Sequence, residues 1–104
     1  MIEKIKSQIS ESILVKEAVL NLFVEDMSSA ASIMIRSLQN GGKILWCGNG
    51  GSAADAQHLA TELMGGMTSH ERKPIPSIAL TTDSSFLTAW ANDTDFESVF
   101  SRQL

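Results

Sequence analysis

The chain has 104 residues, of which 43% are apolar and 19% are charged, a composition typical of one small globular domain and not of a disordered tail. Its 8 basic and 12 acidic residues give a formal charge of -4, so we expect no direct binding to nucleic acid or to an anionic membrane. One cysteine cannot form an intrachain disulfide, and no signal peptide or span-length apolar run is seen. A soluble, cytoplasmic protein is therefore expected.

The first 40 residues show the apolar spacing of two amphipathic helices. Isoleucines recur at steps of three and four from Ile2 to Ile13, which predicts a long first helix. A second helix is predicted from Asp26 or Ser28 to Leu38, ended by the glycines that follow it. The isoleucine stripe needs a partner, which is either the same helix of another subunit or the sheet of its own chain.

Two short, almost wholly apolar runs, 43–47 and 77–80, predict parallel strands that are buried between helices on both faces of a sheet. Cys47 is accordingly interpreted as a buried strand residue and not as a nucleophile. A helix is predicted from Ala53 onward, and a loop rich in glycine and proline follows it at 65–76. The pattern indicates an open α/β sheet, in which ligands bind at the carboxyl ends of the strands.

The segment after the second strand contains several hydroxyl side chains in the run TTDSS, Thr81 to Ser85. These hydroxyls can bind phosphate or cap the next helix, and capping is the better interpretation for any one of them. Beyond the run we predict a short helix at 86–90, a turn at Asn92 and Asp93, and a last helix at 96–104.

A glycine-rich loop joins the first strand to the helix after it. Gly48, Gly50 and Gly51 permit backbone angles closed to other residues and let a ligand approach the main chain. Ser52 and, three residues later, Asp55 form a start like a capping box. A helix N-terminus that follows such a loop suits an anion, and phosphate is the obvious candidate.

His58 and Glu62 lie four residues apart on this helix. At 100° per residue they stack on roughly the opposite face from the apolar residues, so the core does not need them. An imidazole and a carboxylate in this arrangement can share a metal ion, act as an acid and base, or form an ordinary surface pair. The apolar face itself comprises Ala56, Leu59, Ala60, Leu63 and Met67.

The run CGNGGSAADAQHLATE at 47–62, with IPSIALTTDSS and WANDTDFESVFSRQ downstream, resembles the sugar isomerase (SIS) family, and within it the sedoheptulose 7-phosphate (phosphoheptose) isomerases. The resemblance extends from the first helix to the last residue. It implies a Rossmann-like three-layer sandwich with a parallel sheet, in which 1–40 form N-terminal helices and 43–104 begin the α/β core. The chain resembles the N-terminal part of a single SIS domain and is expected to be truncated.

This resemblance implies an enzyme that converts sedoheptulose 7-phosphate to D-glycero-D-manno-heptose 7-phosphate, a step toward lipopolysaccharide. It implies zinc held by His58 and Glu62, with Glu62 also the catalytic base, and a homotetramer whose sites lie between subunits. The remaining zinc ligands are expected beyond Leu104, so these residues alone should be inactive and should either self-associate or need the missing half. The implied substrate contacts are Asn49, Gly50, Gly51, Ser52, Glu62, Asn92 and Asp93.

One departure concerns the end of the helix, where the family usually carries an arginine and this chain has Gly66; Arg72 or Lys73 is the candidate replacement. Two other functions stay open at this point. One is a non-enzymatic SIS protein that binds the replication initiator DnaA, and the other is a domain that senses sugar phosphates. Glu62 favours the enzyme, because the DnaA-binding relatives are understood to lack it.

Overall fold

The computed structural model describes the whole chain, Met1–Leu104, which divides into two compact units, Met1–Arg36 and Ser37–Leu104. The chain forms four α-helices, two β-strands and one 3₁₀ turn, in the order helix, helix, strand, helix, strand, helix, turn. These elements are α1 (Ile2–Leu22), α2 (Val24–Gln39), β1 (Ile44–Trp46), α3 (Gly51–Gly65), β2 (Ser77–Ala79), α4 (Ser84–Asp93) and the turn Ser101–Gln103.

The first two helices are as predicted, although α2 begins earlier, at Val24. They are separated by Phe23, and their axes are bent by 70° at this break. No residue from Met1 to Ile33 is buried, and the isoleucine stripe is between 49% (Ile5) and 68% (Ile2) exposed. The surface that covers this stripe stays a prediction. No single helix is long and apolar enough to cross a membrane, whereas α1 and α2 together meet the length and composition of a bent span.

The two strands form a parallel pair, because the helix α3 lies between them in sequence and returns the chain to the same edge of the sheet. Ile44 pairs with Ser77, and Trp46 pairs with Ala79. The ladder is extended at both ends by main-chain hydrogen bonds, from Ile44 N to the carbonyl of Pro76 (3.0 Å) and from Leu80 N to the carbonyl of Trp46 (2.8 Å). Both predicted strands are therefore confirmed, each slightly shorter than its apolar run.

Burial of the strands is one-sided, whereas the apolar runs predicted two buried faces. Leu45 and Ile78, which are paired, are 36% and 46% exposed. The alternate residue Ser77 is buried, and its hydroxyl accepts a hydrogen bond of 2.9 Å from the indole nitrogen of Trp46. The strands are buried on one face only, because α3 is the only helix in this chain that packs against them.

The core-facing side of α3 is narrower than the predicted apolar face. Ala56 and Ala60 are buried, at 3% and 8% exposure, because small side chains let the helix approach the strands closely. Leu63 is half-buried. Leu59 is exposed, and Met67 lies beyond the helix end and is also exposed, so these two do not belong to the core.

α4 begins at Ser84 because the carboxylate of Asp83 caps it, accepting a hydrogen bond of 2.9 Å from the main-chain N–H of Phe86. The predicted hydroxyl cap is thus wrong: the hydroxyls of Thr81 and Thr82 instead donate to main-chain carbonyls of the helix α3 and the strand β2. Asn92 lies in the last turn of α4, where a turn was predicted.

The predicted helix at 96–104 is wrong, since only Ser101–Gln103 forms a 3₁₀ turn. Upstream, the carboxylate of Asp95 accepts two hydrogen bonds of 2.7 Å, from the main-chain N–H and the hydroxyl of Ser98. Such local side-chain bonds compete with helix formation. These two bonds also lower the pKa of Asp95, the bond from the Ser98 hydroxyl more than the bond from the Ser98 N–H. Gln103 then ties this segment to the residue after β2 by donating to the carbonyl of Leu80 at 3.0 Å.

Candidate functional site

The glycine loop after β1 leads directly into α3 through two positions that require glycine. A Cβ at Gly48 would lie 2.6 Å from the main-chain oxygen of Ser52, so the loop packs directly against the first helical turn. Gly50 is the N-cap and has a positive φ of 55°. The main-chain N–H groups of Gly50 and Gly51 donate no hydrogen bond within the chain. An open pair of amides at a helix N-terminus is an arrangement that binds anions.

The predicted capping box at Ser52 and Asp55 is wrong. The helix begins at Gly51, one residue before the serine, and no side chain caps it. The positive φ of Gly50 lets the chain turn into the helix without a capping side chain, and the Ser52 N–H is already bonded to the carbonyl of Asn49 at 3.0 Å. The Ser52 side chain is exposed and makes no hydrogen bond. Its hydroxyl is therefore available to a ligand.

His58 and Glu62 meet on the surface of α3, as the four-residue spacing predicts. The Nε2 atom of His58 lies 3.3 Å from the Oε1 atom of Glu62, and their side chains are 69% and 28% exposed. The glutamate is thus the more sheltered partner. Since His58 is seven positions after Gly51, the pair begins about 10 Å along the helix from its N-terminus.

The donor atoms of this pair have a spacing that suits a shared metal ion. Two ligands at about 2.0–2.2 Å from a tetrahedral Zn²⁺ lie about 3.3–3.6 Å apart, which includes the observed distance. The same distance also suits a direct contact between imidazole and carboxylate. No group of three or more histidine, cysteine, aspartate or glutamate residues is close enough to hold a metal. His58 and Glu62 can therefore provide at most two of the four ligands that a tetrahedral site needs.

The predicted site residues do not all line one cavity. His58 and Glu62 line a surface groove together with Asp55, Leu59 and Met67. A separate small cleft is lined by Asn49 and Gly50 of the glycine loop. Apolar side chains from α4 and from the segment after it also line this cleft. These apolar residues are Leu87, Phe96 and Phe100.

Asn92 and Asp93 are exposed and line neither cavity. The amide of Asn92 donates to the carboxylate of Asp93 at 2.7 Å, which fixes the two polar groups relative to each other. Cys47 was interpreted as a buried strand residue, and this is wrong: it is exposed, one residue beyond β1, where the chain leaves the sheet for the loop.

The C-terminal end of α3 explains the missing arginine. Gly66 is buried and has a positive φ of 89°, and a Cβ there would overlap the carbonyl oxygen of Ser69. No side chain fits. Arg72 lies close by, but its guanidinium donates to main-chain carbonyls, to that of Glu62 at 2.6 Å and to that of Lys73 at 3.0 Å. Arg72, which the sequence suggested for a substrate contact, therefore caps the C-terminal end of α3. The sequence analysis did not predict this role.

This fold and site define the class of protein. The chain belongs to the SIS domain family, which it matches over residues 9–104. Within that family, it is 50% identical over all 104 residues to the phosphoheptose isomerase of Aquifex aeolicus and 51% identical to that of Aromatoleum aromaticum. It covers 54% and 52% of those proteins, so the chain spans about half the length of the curated relatives it matches.

Solved structures lead to the same group. The structure of phosphoheptose isomerase GmhA from Neisseria gonorrhoeae matches 97% of this chain and 51% of its own, with a TM-score of 0.86 and 46% identity. A phosphoheptose isomerase from Francisella tularensis matches 98% of this chain and 53% of its own, with a TM-score of 0.91 and 39% identity. The family and the fold class predicted from the motif are confirmed.

Proposed function

We propose that the full-length protein is an isomerase that converts sedoheptulose 7-phosphate to D-glycero-D-manno-heptose 7-phosphate. The observation that carries this proposal is the contact of 3.3 Å between His58 and Glu62 on a helix whose N-terminus is open to an anion. A phosphate handle and an acid–base pair on the same helix are two requirements of aldose–ketose isomerisation. The similarity of the whole chain to proteins named phosphoheptose isomerase supports this choice of substrate.

In this proposal the glycine loop holds the substrate by its polar groups. The free amides of Gly50 and Gly51 bind phosphate oxygens, and the Ser52 hydroxyl adds a further donor. Because the chain carries a net charge of -4, local geometry and not overall charge attracts the anion. Asn49, Asn92 and Asp93 complete the set of substrate contacts and bind hydroxyl groups of the sugar.

Glu62 is the proposed base. Its carboxylate, at 28% exposure, is sheltered but still reachable from the groove, as a group must be to carry a proton between two adjacent substrate carbons. The Nε2 atom of His58 lies 3.3 Å from the Glu62 carboxylate, so the two side chains are placed to share one metal ion. The negative charge that develops on the substrate oxygens during the transfer needs an electrophile to stabilise it.

Zinc is the proposed cofactor, held by His58 and Glu62 together with ligands from outside these 104 residues. The donor spacing described above fits that ion, which would supply the electrophile by polarising the substrate carbonyl. The same proposal includes a cytoplasmic homotetramer with its sites between subunits, acting in the supply of heptose for lipopolysaccharide. A protein that binds sugar phosphate without turnover would instead be a sensor.

The replacement Glu62→Gln tests the base directly. The amide is nearly isosteric but cannot accept a proton, so isomerisation should fall by more than about a thousandfold while substrate affinity stays within about tenfold. Turnover can be followed in the full-length protein by separating the two heptose phosphates. The matched control is Glu71→Gln, an exposed glutamate outside both cavities. A mutant that retains more than about a tenth of the wild-type rate would remove Glu62 as the base.

The replacement His58→Ala tests the metal. Loss of one of two helix ligands should lower both the zinc content of the purified protein and its activity, by about tenfold or more. Metal can be measured by elemental analysis. The control is His70→Ala, the other histidine of the chain, which should leave the zinc content unchanged. If wild-type protein holds no zinc and added zinc changes nothing, the metal part of the proposal fails.

A further inference from the structure

The last turn of α3 is held by the loop that follows it. The carbonyls of a final helical turn have no partner within their helix. Here the Glu62 carbonyl accepts from the Gly66 N–H at 2.9 Å and from Arg72, and the Leu63 carbonyl accepts from the Ile75 N–H at 3.1 Å. The carbonyl of Gly65 lies 3.1 Å from the Nδ1 atom of His70. Three of the four end carbonyls thus have partners from the loop.

Arg72 makes the strongest of these contacts. Its guanidinium reaches Glu62, ten residues away, with a short bond of 2.6 Å, and its second nitrogen bonds the carbonyl of Lys73. Hydrogen bonds from a charged donor are roughly twice as strong as neutral ones, and a positive charge is favourable at a helix C-terminus. A planar fork that bonds two carbonyls also fixes direction, which a lysine ammonium cannot do.

We propose that Arg72 is a positioning residue for Glu62: it clamps the carbonyl of that residue and so fixes the backbone from which the carboxylate projects. Glu62 is three residues from the end of α3, where unclamped helices fray. Displacement of a reacting group by about 1 Å can lower a rate by about a hundredfold. The role in catalysis rests on the proposed function of Glu62, whereas the clamp itself does not.

The test uses Arg72→Ala and Arg72→Lys in the full-length protein. For the alanine variant we expect a fall in kcat of about tenfold to a hundredfold with KM within about threefold, because the base moves while the phosphate site at the other end of the helix is unchanged. The lysine variant should lie between alanine and wild type. Guanidinium at millimolar concentration should restore part of the lost rate to the alanine variant, and methylammonium should not.

A second readout does not depend on turnover. The Gly66 amide donates to the same carbonyl, so its hydrogen exchange should be at least about tenfold faster in Arg72→Ala. The control is Arg102→Ala, which removes an arginine that stacks on Trp90 at 5.0 Å and should change neither quantity.

Unchanged exchange at Gly66 would overturn the clamp, and faster exchange with wild-type kcat would overturn the positioning role. If the wild type turns over no heptose phosphate, the proposed function of Glu62 fails, and the exchange measurement still decides the clamp. Should the alanine variant not fold, the lysine variant carries the same two measurements.

Discussion

The two ends of α3 are built in opposite ways. At the N-terminus no side chain caps the helix, and the amides of Gly50 and Gly51 are left open. At the C-terminus the chain closes on itself, with partners from Gly66, Arg72 and the loop beyond them. One helix can therefore have an end with open amides and an end whose carbonyls already have partners. Under the proposed function, the open end binds the substrate phosphate and the closed end supports Glu62.

The largest effect should come from Gly66→Ala at the closed end. The backbone conformation, with a positive φ of 89°, costs an alanine about 1–2 kcal/mol, and overlap with the carbonyl of Ser69 adds about 1–3 kcal/mol. We expect a loss of about 3 kcal/mol in the free energy of unfolding, measured by urea denaturation. A loss below about 1 kcal/mol would mean that this end is not closely packed.

Gly50→Ala at the open end is the matched comparison, since that residue also has a positive φ, of 55°, but a Cβ there meets nothing within 4 Å. Only the cost of the backbone conformation applies, so the expected loss is about 1–2 kcal/mol. The difference in unfolding free energy between the two alanine variants therefore measures the packing contribution apart from the backbone strain. Equal losses in the two variants would contradict the contrast between the ends.

Ser52→Ala should have the smallest effect on stability, within about 0.5 kcal/mol, because the hydroxyl caps nothing. Its effect should appear instead in ligand binding, with the affinity for sugar phosphate lowered by about tenfold. Calorimetric titration and denaturation of the same variant measure both quantities. A loss of about 1 kcal/mol in stability without a change in affinity would restore the serine as a cap.

Much of α3 could be predicted from the sequence because its signals are local. The spacing of His58 and Glu62 requires only helical geometry, and the two strands follow from short apolar runs bounded by breakers. The preference for Ser or Asp caps placed the helix start wrongly, because the N-cap is Gly50, which turns the chain into the helix through its positive φ and not through a side chain. Helical periodicity therefore predicts where His58 and Glu62 lie, but it does not predict which residue caps the helix.

The other misses have different causes, one of them a contact between distant residues. The role of Arg72 depends on a carbonyl ten residues earlier, and its signal was a basic residue following a helix-ending glycine. The exposure of Cys47 depends on where the chain leaves the sheet. At 96–104 the apolar spacing favoured a helix, but the bonds from Ser98 to Asp95 favour a turn, and local propensity did not decide between them.

The exposed helix α1 has a consequence for how a single copy of this chain melts. None of its 21 residues is buried, so burial of apolar surface contributes little to its stability. Most helical stability in proteins comes from packing of an apolar face, so a helix whose apolar face is uncovered is only weakly stable in water. Heating should therefore melt α1 gradually and the α/β unit in a separate, sharper transition, and the calorimetric enthalpy would not equal the van't Hoff value. Covering the isoleucine stripe with another surface would join the two transitions into one.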